Sequence, residues 1–176
     1  MKKNFEIKVK LQDPNKIRAL VRLLCKGKKV FKEKQIQEDI YYRVQKGRLK
    51  LRIINGNTGN LIYYFRNNEN SKRVSNYTIS ETNTPKELNS ILSSLYGVLI
   101  KAKKTREITR MDNTRIHIDK VIGLGNYLEI EVIFDSIKKA KITMDGMIKL
   151  LDLKEEKFIK VSYLDLLLNK KKNNDN

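Results

Sequence analysis

The 176-residue sequence has one cysteine, one histidine, two prolines and no tryptophan. A lone Cys25 cannot form an internal disulfide, so a secreted disulfide scaffold and a CxxC zinc site are both excluded, and a reducing compartment is the expected setting. Long apolar runs are also missing, which excludes a membrane-spanning helix, and the first residues lack the apolar stretch of a signal peptide. A cytoplasmic protein with no membrane partner is expected. Acidic residues are in deficit: Lys+Arg 38 against Asp+Glu 20 leaves a net charge of +18. A hydrophobic fraction of 40% is too high for a disordered basic tail, and a chain of this length buries enough surface for one domain. The charge alone fits any polyanion, so its placement carries the information.

Strict alternation over Asn4 to Leu11 sets Asn4, Glu6, Lys8 and Lys10 on one face and Phe5, Ile7, Val9 and Leu11 on the other, a strand pattern. Pro14 after Asp13 opens a helix with Ile17, Leu20, Val21 and Leu24 on one stripe and a stop at Gly27. Strand patterns follow at Gln35 to Val44 and Arg48 to Ile54, joined by a turn at 45–47. Others run from Leu61 to Arg66 and from Arg73 to Glu81, with turns at 55–60 and 67–72. Pro85 starts a second helix that ends at Gly97, and three more strands span Val98 to Arg110, Thr114 to Ile122 and Asn126 to Phe134. Helical spacing returns from Ser136 to Leu151 and from Ser162 to Leu168. The tail 169–176 holds no apolar residue and is expected to be disordered, leaving 1–168 as a single domain. The class is α+β: an antiparallel, eight-stranded closed β-barrel with helices packed outside.

Several strands repeat charge at every second position, with mixed signs: Glu6, Lys8 and Lys10; Arg48, Lys50 and Arg52; Lys104 and Arg106; Arg115, His117 and Asp119; Glu129 and Glu131. One such strand signifies only a wet sheet face. If the sheet closes and its apolar faces meet the helices, the polar faces line the interior. Two lysines about 6 Å apart at an effective dielectric of about 20 repel by roughly 2 to 3 kcal/mol, so the cluster needs carboxylates, water or a bound anion. A short phosphate chain meets that need, and carboxylates spaced i, i+2 on a rigid strand suit hard Mg²⁺ or Mn²⁺.

In that order the segments Asn4-Phe5-Glu6-Ile7-Lys8, Gln37 to Tyr42, Gly47 to Arg52, Leu61 to Arg66, Lys104-Thr105-Arg106, Thr114 to Asp119, Gly123-Leu124-Gly125 and Leu128 to Glu131 resemble the CYTH superfamily, the triphosphate tunnel metalloenzymes. The stretch Ser162 to Leu167 is similar to the tail of class IV cyclase-like members. The resemblance implies a tunnel that binds a triphosphate and a divalent cation, Mg²⁺ or Mn²⁺. Carried over by position, the phosphate contacts are Lys8, Lys10, Arg48, Lys50, Arg52, Arg66, Lys104, Arg106 and Arg115. Glu6, Asp119, Glu129 and Glu131 are the implied metal ligands, and Lys8, Arg52, Arg106 and Glu131 the implied catalytic set. Asn4 departs from the signature, which has a glutamate there.

The implied activity is metal-dependent hydrolysis of a phosphoanhydride bond in a nucleoside triphosphate, tripolyphosphate or another organic triphosphate. A class IV adenylyl cyclase, releasing pyrophosphate and a cyclic nucleotide from ATP, is the alternative, and a non-catalytic polyphosphate or nucleotide binder a second one. A nucleic-acid partner is not expected apart from an RNA 5′ end, and the oligomeric state is left open, a homodimer included. His117, a single histidine without a partner, reads as a structural hydrogen-bonding group, and Cys25 as core filling.

Overall fold

A computed structural model describes residues 2–66 and 71–174, excluding the side chains of residues 2 and 66. Eight antiparallel strands close into a barrel in the order β1-β5-β4-β3-β2-β6-β7-β8. They are β1 (Lys2–Leu11), β2 (Phe31–Tyr42), β3 (Arg48–Ile54), β4 (Thr58–Arg66), β5 (Arg73–Thr82), β6 (Val98–Met111), β7 (Thr114–Val121) and β8 (Gly125–Ile133). Helices α1 (Pro14–Leu24), α2 (Pro85–Tyr96), α3 (Ile137–Leu150) and α4 (Tyr163–Asn174) complete the chain. No described helix is long and apolar enough to cross a membrane. Most of the expected turn at 67–72 falls on residues 67–70, outside the described ones.

The alternation read in β1 is the rule that builds the molecule. Phe5, Ile7, Val9 and Leu11 face outward and are buried with Ile116, Ile118, Leu128, Ile130 and Val132 beneath Ile17 and Val21 of α1 and Ala140, Met144, Met147 and Ile148 of α3. Cys25 joins this core. Leu88 and Leu92 of α2 cover Ile40, Leu51 and Ile53 on the other side. With apolar faces turned out under helices, polar faces have no direction left but inward.

Strands β2 and β4 and the final helix differ from the sequence expectation, β4 starting at Thr58 instead of Leu61. Strand β2 begins at Phe31, four residues early, because the fourteen-residue β6 offers a partner as far as Arg110. The final helix does not stop at Leu168: α4 continues to Asn174, so 169–174 is helical where a disordered tail was expected. Lysines 171 and 172 suit its C-terminal dipole, and Lys170 Nζ donates to the Gly123 carbonyl at 2.7 Å. Unlike the other helices, α4 closes one end of the barrel. Leu164 is buried with Tyr41 and Ala102, and Tyr163 with Val121 and Tyr127.

Glycine is required at the β2–β3 turn. Gly47 has φ +69, and a Cβ there would sit 3.0 Å from both Tyr63 and Phe65.

Candidate functional site: a charged tunnel with two walls

One cavity inside the barrel is lined by cations from β1, β3, β6 and β7 and by carboxylates from β1 and β8. Because β3 and β8 lie four strands apart either way round, Lys50 and Arg52 face Glu129 and Glu131 across the tunnel.

The cationic wall is organised by a residue that sequence reasoning missed. Asp39 of β2 is fully buried between β3 and β6 and accepts from Lys50 at 2.9 Å, Lys104 at 2.9 Å and Arg52 at 2.7 Å. Burial pushes its carboxyl up, but Arg52, Lys104 and Lys50 outweigh that and hold it well below the usual range. One carboxylate cannot neutralise three cations. Burial and the neighbouring Arg52 push Lys50 down to about 7, against the pull of Asp39. Burial, with Arg52 and Arg106, takes Lys104 to about 8. Both ammoniums therefore give up their protons more readily than an ordinary lysine, and a nearby anion would favour their charged forms. The alternation of Gln35, Gln37, Asp39 and Tyr41 on the inward face of β2 is the signal that could have found Asp39.

The acidic wall is built by register. Glu6 pairs with Glu131, Lys8 and His117 each lie opposite Glu129, and Arg115 opposite Glu131. Glu129 accepts from Lys8 at 3.1 Å and from Arg106 Nη2. Lys8, Arg106 and Lys104 overcome burial and keep Glu129 strongly ionised. Glu131 is different: burial, then Glu6 and Glu129, raises its carboxyl. Its nearest cation in this set, Arg115, is 3.7 Å away. Glu6 itself accepts from Arg73 at 2.7 Å. His117 is held neutral by burial and by Arg106, against Glu129.

Ligand atoms of His117, Glu129 and Glu131 all lie within 4.8 Å of one another. Two buried polar atoms on this side, Asn4 Oδ1 and His117 Nδ1, have no hydrogen-bond partner. Crowded carboxylates beside unpartnered buried polar atoms fit a divalent cation.

Nine residues singled out from the sequence line this cavity together: Glu6, Lys8, Lys50, Arg52, Lys104, Arg106, Arg115, Glu129 and Glu131. Three others do not. Lys10 is exposed at the end of β1, beside Tyr127, whose ring packs edge to face against Tyr163. Arg48 donates to both carboxylate oxygens of Asp165, at 2.9 and 3.0 Å, and so ties β3 to α4 instead of facing the cavity. Asp119 does not line the cavity: Arg106 grips it at 2.7 and 2.5 Å and the Tyr163 hydroxyl donates to it at 2.8 Å. This two-point contact fixes the orientation of the Arg106 guanidinium. The Arg66 side chain lies outside the described residues.

Tyr163 was also missed. Its ring lies 3.9 Å from Lys8 Nζ and 5.3 Å from Lys104 Nζ, flooring the cavity. No local pattern in Ser162 to Leu168 marks a side chain that enters a barrel end.

The CYTH domain family model matches residues 2–163. A Methanocaldococcus jannaschii protein named "Putative adenylate cyclase MJ0240" is 31% identical over 172 residues, covering 92% of this chain and 96% of its own. Among solved structures, the PH1012 protein of Pyrococcus horikoshii superposes with a TM-score of 0.82 at 24% identity, covering 94% of this chain and 99% of its own. The PH1819 protein of the same organism gives a TM-score of 0.68 at 27% identity, covering 95% and 99%.

Proposed function

The chain belongs to the CYTH domain family, and on that premise we propose that it is a metal-dependent phosphoryl-transfer enzyme acting on triphosphate compounds, hydrolysing a phosphoanhydride bond inside the tunnel. The observation that carries this reading is the cavity with two walls: Lys50, Arg52, Lys104 and Arg106 on one side, Glu129 and Glu131 with Glu6 on the other. A protein that merely attracts polyanions needs no buried carboxylate cluster beside its cations.

In this reading Lys8, Lys50, Arg52, Lys104, Arg106 and Arg115 grip the phosphoryl oxygens. The forked guanidiniums of Arg52 and Arg106, each fixed by a buried aspartate, meet the charge that develops in the transition state without reorganising. Glu6, Glu129 and Glu131 would hold Mg²⁺ or Mn²⁺, which supplies charge neutralisation and polarises a phosphoryl oxygen. A carboxylate of this cluster orients the attacking water and takes its proton, and the water oxygen bonds to phosphorus as the bond to the leaving phosphate breaks. Tyr163 excludes bulk water from the closed end.

A second reading, cyclisation of ATP by attack of the ribose 3′-hydroxyl on the α-phosphorus, is favoured by the name of the 31% identical relative. The same grip serves both, and products separate them. Purified protein with ATP, GTP or tripolyphosphate in Mg²⁺ or Mn²⁺ is expected to release orthophosphate. Cyclic nucleotide and pyrophosphate without orthophosphate overturn hydrolysis in favour of cyclisation. Tight binding with no turnover in any metal, or full activity in Glu129→Ala and Glu131→Ala variants, overturns both.

A further inference from the structure

We propose that His117 is a nitrogen ligand of the divalent cation held by Glu129 and Glu131, and that it turns the site's preference from Mg²⁺ toward Mn²⁺ and Co²⁺. This rests on the phosphoryl-transfer reading only for the cation's purpose, not for its binding.

The geometry starts from the β7–β8 ladder. His117 is directly opposite Glu129, and Glu131 is its diagonal neighbour on the same inward face, within reach of an imidazole. Ligand atoms of the three residues converge within 4.8 Å. His117 is 4% exposed, and its Nδ1 has no hydrogen-bond partner. The nearest carboxylate oxygen, on Glu131, stands 3.8 Å away, too far for a hydrogen bond. A structural histidine in a barrel interior satisfies its ring nitrogens, because an unpaired buried polar atom costs roughly 1 to 3 kcal/mol. This one aims a nitrogen at two carboxylates and touches neither.

The next inward residue of β7 explains why nitrogen, not oxygen, occupies this side. Asp119 would be the hard oxygen ligand from that strand, but Arg106 and the Tyr163 hydroxyl occupy it from two directions. The cavity also has Asn4, a neutral amide whose buried Oδ1 is unpartnered, at the first acidic position of the strand signature. The donor set thus has fewer charged oxygens and one imidazole. Mg²⁺ favours all-oxygen, largely hydrated coordination, whereas imidazole suits first-row transition metals, with Co²⁺ above Mn²⁺ in affinity.

The test uses the full chain, stripped with a chelator, and each metal chloride alone without any triphosphate. Calorimetric titration is expected to rank Co²⁺ and Mn²⁺ tighter than Mg²⁺. Pulsed EPR of the Mn²⁺ adduct is expected to show nitrogen hyperfine coupling from an imidazole. His117→Ala should remove that coupling and weaken Co²⁺ by about tenfold or more, since loss of even an outer partner of a metal ligand costs that much, while Mg²⁺ changes little. A Mn²⁺ adduct without nitrogen coupling, an equal loss for all three metals, or no metal binding overturns the proposal. Should the variant fail to fold, the spectrum of the unmodified chain still decides. Nitrogen-ligated Mn²⁺ in a protein that turns over no triphosphate would overturn the function and leave this ligand assignment standing. An active enzyme with an all-oxygen site would do the reverse.

Discussion

Lys50 and Lys104 donate to the same oxygen of Asp39, each at 2.9 Å, from the two strands that flank β2. The shared acceptor holds two like charges close together inside the barrel, with Arg52 on its other oxygen at 2.7 Å. Under the proposed function this arrangement keeps the cations assembled for the phosphates.

Asp39→Asn removes the carboxylate that Lys50, Arg52 and Lys104 share. The variant is expected to lose about 3–5 kcal/mol of stability, the usual cost of leaving buried charges unpaired, measured by denaturant unfolding near neutral pH. The Asp39 carboxyl lies well below 3.8 in the folded chain, so its contribution is present above that value and lost as pH falls through the folded pKa. The wild type should therefore show an acid-side loss of stability that is missing from Asp39→Asn.

Triphosphate binding should take up protons. With Lys50 at about 7 and Lys104 at about 8, a good part of these ammoniums is neutral at pH 8, and bound phosphate favours their charged forms. Calorimetry with tripolyphosphate in buffers of different ionisation enthalpy is expected to show net uptake at pH 8 and less at pH 6; no buffer dependence at pH 8 contradicts it. Stability of the ligand-free chain has the matching slope. Folded values below the ordinary 10.5 mean that the unfolded state binds more protons between about 7 and 10, so these lysines make stability rise with pH there. Lys50→Met/Lys104→Met should lose that part of the slope.

Asp119→Asn tests the aiming of Arg106. Under the proposed function, the guanidinium stays charged but loses its two-point grip, so turnover is expected to fall by roughly 10²-fold, as when one transition-state donor is misplaced. KM for the triphosphate should change much less. A rise in KM with unchanged turnover would assign Arg106 to ground-state binding.

Gly47→Ala tests the turn between β2 and β3. An alanine at φ +69 is strained by about 1–2 kcal/mol, and its Cβ would meet two aromatic rings at 3.0 Å. A lowered thermal midpoint with unchanged metal titrations is expected, because the turn is remote from His117 and Glu131. An unchanged midpoint contradicts the strain.

Alternation in β1 announced which residues face the helices and which face the tunnel, because side-chain direction along a strand has period two and needs no tertiary information. Repeated over β3, β6, β7 and β8, it gathered nine cavity residues correctly. What alternation cannot give is depth along the tunnel. Lys10 has the right parity but ends up exposed, since α4 closes that end with Tyr163, brought back by a bridge of Phe158 to Val9.

Pairing between inward charges was equally out of reach. Asp119, Glu129 and Glu131 share parity and chemistry, yet Asp119 is consumed by Arg106 and Tyr163, Glu129 is shared with Lys8, and Glu131 is left to face His117. The sequence by itself determined the inside-out barrel and the two kinds of charge within it, because local periodicity decides face. Only the closed tertiary structure decided which charges neutralise one another and which stay available for a ligand, because that depends on distances across the barrel between residues far apart in the chain.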